Sequence, residues 1–226
     1  MIYITGDTHR DFERIYDFCQ EVGATQEDIL IILGDATINY YLNSDDKILK
    51  EELSEYPITF LFIHGNHEER PYMIDTYEEI EWNGGIAYIE EEYPNLIFAK
   101  DGEVYDLDGA KAMAIGGAYS VDKFSRDIWF DTEQPDDIIK EHVESQLDKL
   151  DWKIDYIFSH TAPYKYEPQE AFLPNIDQKN VEKSTERWLD EIEDKLDYSR
   201  WFLGHYHIDT RIDRVTVMYQ EFEELY

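Results

Sequence analysis

Met1-Ile2-Tyr3-Ile4-Thr5-Gly6-Asp7-Thr8-His9 is a short apolar run that ends in a glycine, a carboxylate and an imidazole. Two more runs of this kind follow. Residues 28–33 (Asp-Ile-Leu-Ile-Ile-Leu) lead into Gly34-Asp35, and residues 57–64 (Pro-Ile-Thr-Phe-Leu-Phe-Ile-His) lead into Gly65-Asn66-His67-Glu68. Apolar periodicity at residues 10–22 and 45–55 predicts helices between them, so this part of the chain reads β-α-β-α-β. Strands that are apolar almost throughout belong in a parallel sheet covered on both faces, which places the chain in the α/β class.

From residue 84 to 119 the texture changes. Gly-Gly, Pro-Asn and Asp-Gly turn signals separate the runs Ile86–Ile89, Leu96–Ala99, Val104–Leu107 and Ala112–Ile115. Hairpins and a second sheet are expected there, within a single domain spanning residues 1–226. A helix is predicted over 136–149 and a buried strand over Tyr156–Ser159. Pro163, Pro168 and Pro174 mark a long ordered loop over 162–178, followed by a helix over about 180–194. Further strands are predicted at 200–203 and in the alternating Thr210–Tyr219 region.

Composition bounds the function. With 42% apolar residues, 18 Tyr, 11 Phe and 5 Trp in 226 residues, the chain can fill a sizeable core. It has no run of about eighteen apolar residues, so no membrane span is expected. The opening residues read directly as a strand, without a basic region ahead of an apolar one, so no secretory signal is expected. Cys19 is the one cysteine, which fits a reducing cytoplasm. It shares an apolar helical face with Phe12, Ile15, Tyr16 and Val22 and reads as a buried, inert thiol. The formal charge of −32 repels polyanions, which disfavours nucleic acid and anionic membranes as partners of the surface as a whole.

Five clusters carry the chemistry: Gly-Asp-Thr-His (6–9), Gly-Asp (34–35), Gly-Asn-His-Glu (65–68), Ser-His (159–160) and Gly-His-Tyr-His (204–207). Six of the seven histidines lie in or beside them. Asp7 and His9, like His205 and His207, are two residues apart, so strand alternation points each pair the same way. Ligand sites in such sheets gather beyond the carboxyl ends of the strands. Asp7, His9, Asp35 and His207 can hold one ion, and Asp35, Asn66, His160 and His205 a second, with Asp35 shared. Mixed imidazole and oxygen donors suit Mn, Fe, Zn or Ni better than Mg or Ca. Two divalent ions, two carboxylates and one hydroxide leave about +1, a surplus that accepts an anion, and two ions roughly 3.5–4 Å apart can clamp both oxygens of a phosphoryl displacement.

The ordered series of motifs over residues 6–207 resembles that of the calcineurin-like metallophosphoesterases. The resemblance implies a four-layer α/β/β/α sandwich, two divalent transition-metal ions, and attack by a metal-bound hydroxide on a phosphate mono- or diester. It assigns ligand roles to Asp7, His9, Asp35, Asn66, His160, His205 and His207, and it matches His67 to the family's non-ligand histidine, which assists the leaving group. Three departures stand out. Arg10 follows the first motif where many members have glycine; Ala36-Thr37-Ile38-Asn39 follows Gly34-Asp35 without the later Asp-Arg of the phosphoprotein phosphatases; and Ser159 replaces a frequent glycine. The carboxylate that orients the catalytic histidine in that branch is therefore absent from its usual position, leaving Glu68 or another group to serve.

Outside the motifs, His64 ends an apolar strand and reads as a buried structural residue, while His142 sits among helix charges and reads as surface. Arg10 and Arg70 are candidates for contact with a substrate phosphate, with a surface ion pair the equal alternative in a chain of 52 acids. Lys123 and Arg126 follow Gly-Gly-Ala-Tyr-Ser-Val-Asp and are weaker candidates for a substrate-side loop; Tyr164, Tyr166 and Phe172 are candidates for a pocket wall. The expected substrate is a small phosphate ester. The main rival is a non-catalytic metal-binding interaction module on the same fold; an amidohydrolase barrel would need its His-x-His pair near the first strand and a longer chain.

Overall fold

Side-chain alternation along the first three strands sorts the chain into layers. In the computed structural model, which describes residues 1–226, β1 (Ile2–Thr5), β2 (Ile29–Ile32) and β3 (Thr59–Phe62) pair in parallel, with Ile4 opposite Ile31 and Ile31 opposite Leu61. Leu30, Ile32, Phe60 and Phe62 turn outward onto Ile15 and Cys19 of α1 (Glu13–Val22) and onto Leu49 and Leu53 of α2 (Ser44–Ser54). Their neighbours Ile31, Leu33, Leu61 and Ile63 turn the other way and meet Phe158 and Phe202 of the second sheet. Those two residues lie on β9 (Lys153–Ser159) and β10 (Asp197–Leu203). The far face of that sheet, including Ile157, Trp201 and Leu203, packs on α3 (Asp137–Lys149) and α4 (Ser184–Glu193) through Val143, Leu147, Leu189 and Ile192. Three apolar clusters thus fill the three gaps of a helix–sheet–sheet–helix sandwich, the α/β/β/α architecture expected from the motifs.

The remaining strands are β4 (Glu78–Trp82), β5 (Gly85–Ile89), β6 (Leu96–Ala99), β7 (Val104–Leu107), β8 (Ala110–Ile115), β11 (Thr210–Ile212), β12 (Val215–Val217) and β13 (Glu223–Glu224). The first sheet runs β13-β1-β2-β3-β6-β5-β4 and the second β11-β12-β10-β9-β8-β7. Both are mixed, with a parallel centre and antiparallel edges. No helix is long and apolar enough to cross a membrane.

The structure adds two strands that periodicity does not reveal. β4 reads Glu-Glu-Ile-Glu-Trp and lies at a sheet edge, where charge on an exposed strand blocks further pairing. β13 is a two-residue edge pairing on β1. Helix α1 begins at Glu13, later than periodicity predicts, because His9 and Arg10 have φ of 45° and 70°, which no right-handed helix accommodates. It ends at Gly23, whose left-handed φ of 66° closes the last turn. Cys19 is buried, and burial pushes its thiol up to about 11, as an inert core residue requires.

Phe202 has no exposed surface and joins the two sheets at the centre of the sandwich. Phe202→Ala is expected to cost about 3–5 kcal/mol, read as a lower urea midpoint by circular dichroism. An unchanged midpoint would mean that the gap between the sheets is not closely packed.

Candidate metal centre

All five motifs lie at strand ends on one side of the sandwich. Residues 6–9 follow β1, residues 34–35 follow β2 and residues 65–68 come just after β3; His160 follows β9 and residues 204–207 follow β10. The turns approach each other closely enough to exclude side chains. A Cβ on Gly34 would sit 2.1 Å from His160 Nδ1, and one on Gly65 would sit 2.0 Å from the Asp35 nitrogen and 2.1 Å from its Oδ1. Gly34 and Gly65 are therefore dictated by functional residues of the neighbouring motif. Four residues carry a backbone cost as well: His9, Asp35, His205 and His207 have φ of 45°, 48°, 68° and 53°. Each such left-handed non-glycine residue costs on the order of 1 kcal/mol and is retained only where its surroundings over-determine it.

Those surroundings include hydrogen bonds to the two carboxylates and to the Asp35 carbonyl. Asp35 Oδ1 accepts from the His67 backbone N–H at 2.8 Å, and Asp7 Oδ1 accepts from the His205 backbone N–H at 2.9 Å. The His9 N–H donates to the Asp35 carbonyl at 2.8 Å. The outward oxygens and the imidazoles then crowd together. His207 Nε2 is 3.2 Å and His9 Nε2 3.7 Å from Asp7 Oδ2, and the two Nε2 atoms are 2.8 Å apart. Around Asp35, Oδ2 is 3.9 Å from His9 Nε2 and 3.8 Å from His67 Nε2, while Oδ1 is 3.5 Å from His160 Nε2. His160 Nε2 is also 2.9 Å from Asn66 Oδ1, and the His160 and His205 ring centroids are 5.0 Å apart. Three groups can each present ligand atoms within 4.8 Å of one another: Asp7, His9 and His207; His9, Asp35 and His67; and Asp7, Asp35 and His160.

Charge in the cluster is unbalanced in a telling way. Burial opposes ionisation of Asp35, yet His160, His67 and His9 hold its carboxyl well below the usual range. Asp7 is likewise held low against burial, chiefly by the His207 hydrogen bond and the charge of His160. Burial should keep His160 neutral, but the Asp35 and Asp7 carboxylates pull it up to about 9. Two buried carboxylates are demanding positive charge, and the protein's own answer is a histidine proton. Burial, reinforced by His160, pushes His205 down to about 3, which keeps a lone pair available. This donor set, acidic oxygens and imidazole nitrogens converging on a cation-hungry space, fits divalent transition metals.

Outer partners fix these groups. His160 Nδ1 lies 2.7 Å from the Leu33 carbonyl and donates there, which turns Nε2 toward the cluster, where its N–H bonds Asn66 Oδ1 and its lone pair becomes available to a cation once that proton is lost. Asn66 Nδ2 donates to Ser120 Oγ at 2.9 Å, which turns its oxygen inward. Arg14 of α1 donates to the Gly6, Asp7 and Tyr219 carbonyls at 3.2, 3.1 and 3.0 Å and braces the first motif. Ser159 accepts from Trp201 Nε1 at 2.7 Å and donates to the Thr161 carbonyl at 2.7 Å. His67 Nδ1 is 2.8 Å from Arg126 Nη1; burial holds this imidazole low in pKa, with Asp35 opposing and Arg126 adding to the effect. Ser120, Arg14 and the Arg126 contact are not evident from the sequence, since each is brought in by tertiary folding.

A cavity of about 400 Å³ opens on the cluster, lined by His9, Asp35, Asn66, His67, His205 and His207 on one side. Phe172, Leu173 and Ile176 of the expected loop line the other side, whereas Tyr164 and Tyr166 do not. Neither arginine expected at the substrate phosphate lines this cavity. Arg10 turns to Asp46 at 2.5 Å and to the Thr37 carbonyl at 2.8 Å, and Arg70 is buried in an ion pair with Asp101. Lys123 lies 3.7 Å from Glu133. His64 is buried, and His142 is half-buried at 2.9 Å from Glu103.

The profile of the calcineurin-like phosphoesterase family matches residues 1–209. The chain belongs to that family. It is 25% identical over 183 residues to a protein of Arcobacter nitrofigilis named "Probable glycerophosphodiester phosphodiesterase GpdQ", covering 80% of this chain and 56% of the relative. It is 30% identical over 136 residues to an uncharacterized protein of Haemophilus influenzae, covering 60% of this chain and 48% of the relative. The chain thus spans about half the length of these curated relatives. Among solved structures, the protein TT1561 of Thermus thermophilus shares the fold, with a TM-score of 0.55 at 12% identity over 96% of this chain and 87% of that one.

Behind the fifth motif, Tyr206 Oη lies 3.0 Å from Thr161 Oγ1, which lies 2.9 Å from Glu186 Oε1. Burial pushes the Glu186 carboxyl up to about 7, against the opposing pull of Lys183 and the Thr161 hydroxyl. A folded-state pKa above the unfolded value of about 4.3 means that the folded chain keeps a proton the unfolded chain has lost. This group therefore lowers stability as pH rises from about 4.3 to about 7. Glu186→Gln is expected to remove that slope, measured as urea midpoints at intervals across this pH range. An equal slope in the variant would assign the pH dependence to other groups.

Proposed function

We propose that the chain is a dimetal phosphoesterase acting on small phosphate mono- or diesters. The observation that carries this reading is the gathering of Asp7, His9, Asp35, His160 and His207, with Asn66 and His205 against His160, around two buried carboxylates faced only by imidazoles. In this reading Asp7, His9, Asp35 and His207 hold one ion, and Asp35, Asn66, His160 and His205 hold the other. Two divalent ions, drawn from manganese, iron, zinc or nickel, would supply Lewis-acid charge and acidify a water.

The protein's own residues do the rest. Asp35 and Asp7 stay ionised in a buried place because imidazoles face them, so the site is preorganised before substrate arrives. His67 lines the cavity beside Asp35 and assists departure of the alcohol. Phe172, Leu173 and Ile176 give the cavity an apolar lining beside the polar cluster. The net charge of −32 works against long nucleic acids and leaves small esters as the favoured substrates. We place the protein in the cytoplasm, consistent with its single buried thiol, and treat residues 1–226 as one domain.

Aryl phosphate monoesters and diesters, assayed in parallel with each of the four metals, test this reading. Asp35→Asn should lower turnover by more than about 100-fold, because changing even an outer-shell partner of a metal ligand typically costs 10–100-fold. It should also weaken metal binding measured by calorimetry. Turnover that persists in rigorously chelated protein, or an Asp35→Asn variant as active as the parent, would overturn the mechanism.

A further inference from the structure

We infer that Arg126 is a positioning residue for His67, holding the imidazole with its proton on Nε2, toward Asp35 and the cavity; the inference rests on the phosphoesterase reading for its functional meaning. A guanidinium has five N–H donors and no acceptor. The 2.8 Å contact between Arg126 Nη1 and His67 Nδ1 therefore makes Nδ1 the acceptor. The ring hydrogen is left on Nε2, which lies 3.8 Å from Asp35 Oδ2 on the side lining the cavity. A carboxylate in the same place would demand the opposite tautomer and would turn a lone pair toward substrate.

The placement of Arg126 argues for action through His67. The guanidinium does not line the cavity, whereas His67 and Asp122 do. Arg126 stands behind the ring with its side chain 11% exposed, and its Nε is 3.1 Å from Asp122 Oδ1. Glu68, the nearest carboxylate in sequence, is not the orienting group: its Oε1 accepts from the Gly65 N–H at 3.3 Å. The segment carrying Arg126 is itself tied to the centre. Ser120 accepts from Asn66, the Ser120 N–H donates to Glu133 at 3.3 Å, and the Thr132 carbonyl accepts from Arg70 Nε at 2.8 Å. One loop thus orients both Asn66 and His67. In the proposed reaction, the His67 Nε2–H donates a hydrogen bond to the departing oxygen, and Arg126 fixes the direction of that donor.

Two measurements on the full chain test this. In chelator-treated protein labelled with ¹⁵N-histidine, long-range ¹H–¹⁵N spectra should show His67 protonated on Nε2 alone, with the signal assigned by its loss in His67→Gln. Arg126→Ala should give a mixture of tautomers, and Arg126→Lys, which keeps a donor, should restore part of the Nε2–H population. In manganese-loaded protein, Arg126→Ala should lower kcat by about 10–100-fold, as loss of an orienting partner typically does. KM should stay within about twofold, and the rate should depend more steeply on leaving-group acidity. Adding Arg126→Ala to His67→Gln should cost less than about twofold more, since the two residues act as one unit. An unchanged His67 tautomer in Arg126→Ala would overturn the proposal. So would a raised KM at constant kcat, or a full further loss in the double variant, either of which would mean that Arg126 contacts substrate directly. Arg126→Lys carries the kinetic test if the alanine variant does not fold. A parent protein inactive on every ester would sink the phosphoesterase reading, while the spectra would still decide whether Arg126 sets the tautomer.

Discussion

The Asp35 carboxylate is the constraint around which the rest is arranged. It is buried, it sits on a left-handed backbone, and it stays ionised because three imidazoles face it. An isolated carboxylate in such a place would cost several kcal/mol and would take up a proton instead. Each feature that prevents this comes from a different strand end. His9 comes from β1, the His67 N–H from the turn after β3, and His160 from β9 of the other sheet. Two sheets packed face to face are what bring these groups within 4 Å of one carboxylate.

The same packing explains why the motifs have the form they do. Leu33 and Ile63 belong to the apolar layer between the sheets, and the residues just beyond them, Gly34 and Gly65, lie where the turns touch. The strand interiors set the distance between turns, and that distance leaves room for hydrogen at Cα and nothing larger. Strain at His9 and His205 is offset by their backbone hydrogen bonds to the Asp35 carbonyl and the Asp7 carboxylate, and the strained Asp35 is held by the His67 N–H on its carboxylate. Fold and site are therefore a single energetic unit at this end of the molecule.

This mutual dependence also governs what the sequence reveals. The β-α-β-α-β order, the second sheet and the motif ends are legible because each is local: an apolar run, a glycine, then a polar ligand type; the four-layer stacking follows only from the family resemblance. The outer partners are not legible. Ser120 lies 54 residues from Asn66, and Arg126 lies 59 residues from His67, on a segment without strong periodicity. Arg10 and Arg70 illustrate the opposite hazard. They stand next to the motifs in sequence, but the left-handed turn at Arg10 sends its side chain to Asp46, and burial commits Arg70 to Asp101. Strand β4 escapes periodicity because an exposed edge needs no apolar alternation.

Those ion pairs bear on how an anion would enter. The formal charge is −32, and five cationic side chains around the site are matched by a carboxylate: Arg10 by Asp46, Arg70 by Asp101, Arg126 by Asp122, Lys123 by Glu133 and Lys183 by Glu167, while Arg14 is spent on backbone carbonyls. Fixed charge from the protein therefore offers little net attraction to a phosphate at the cavity. On the proposed reading, that attraction must come from ions held by Asp7 and Asp35, whose field is strong because both carboxylates are buried and screened from solvent. Metal loading then governs substrate affinity as well as reactivity, and the acidic exterior becomes compatible with an anionic substrate.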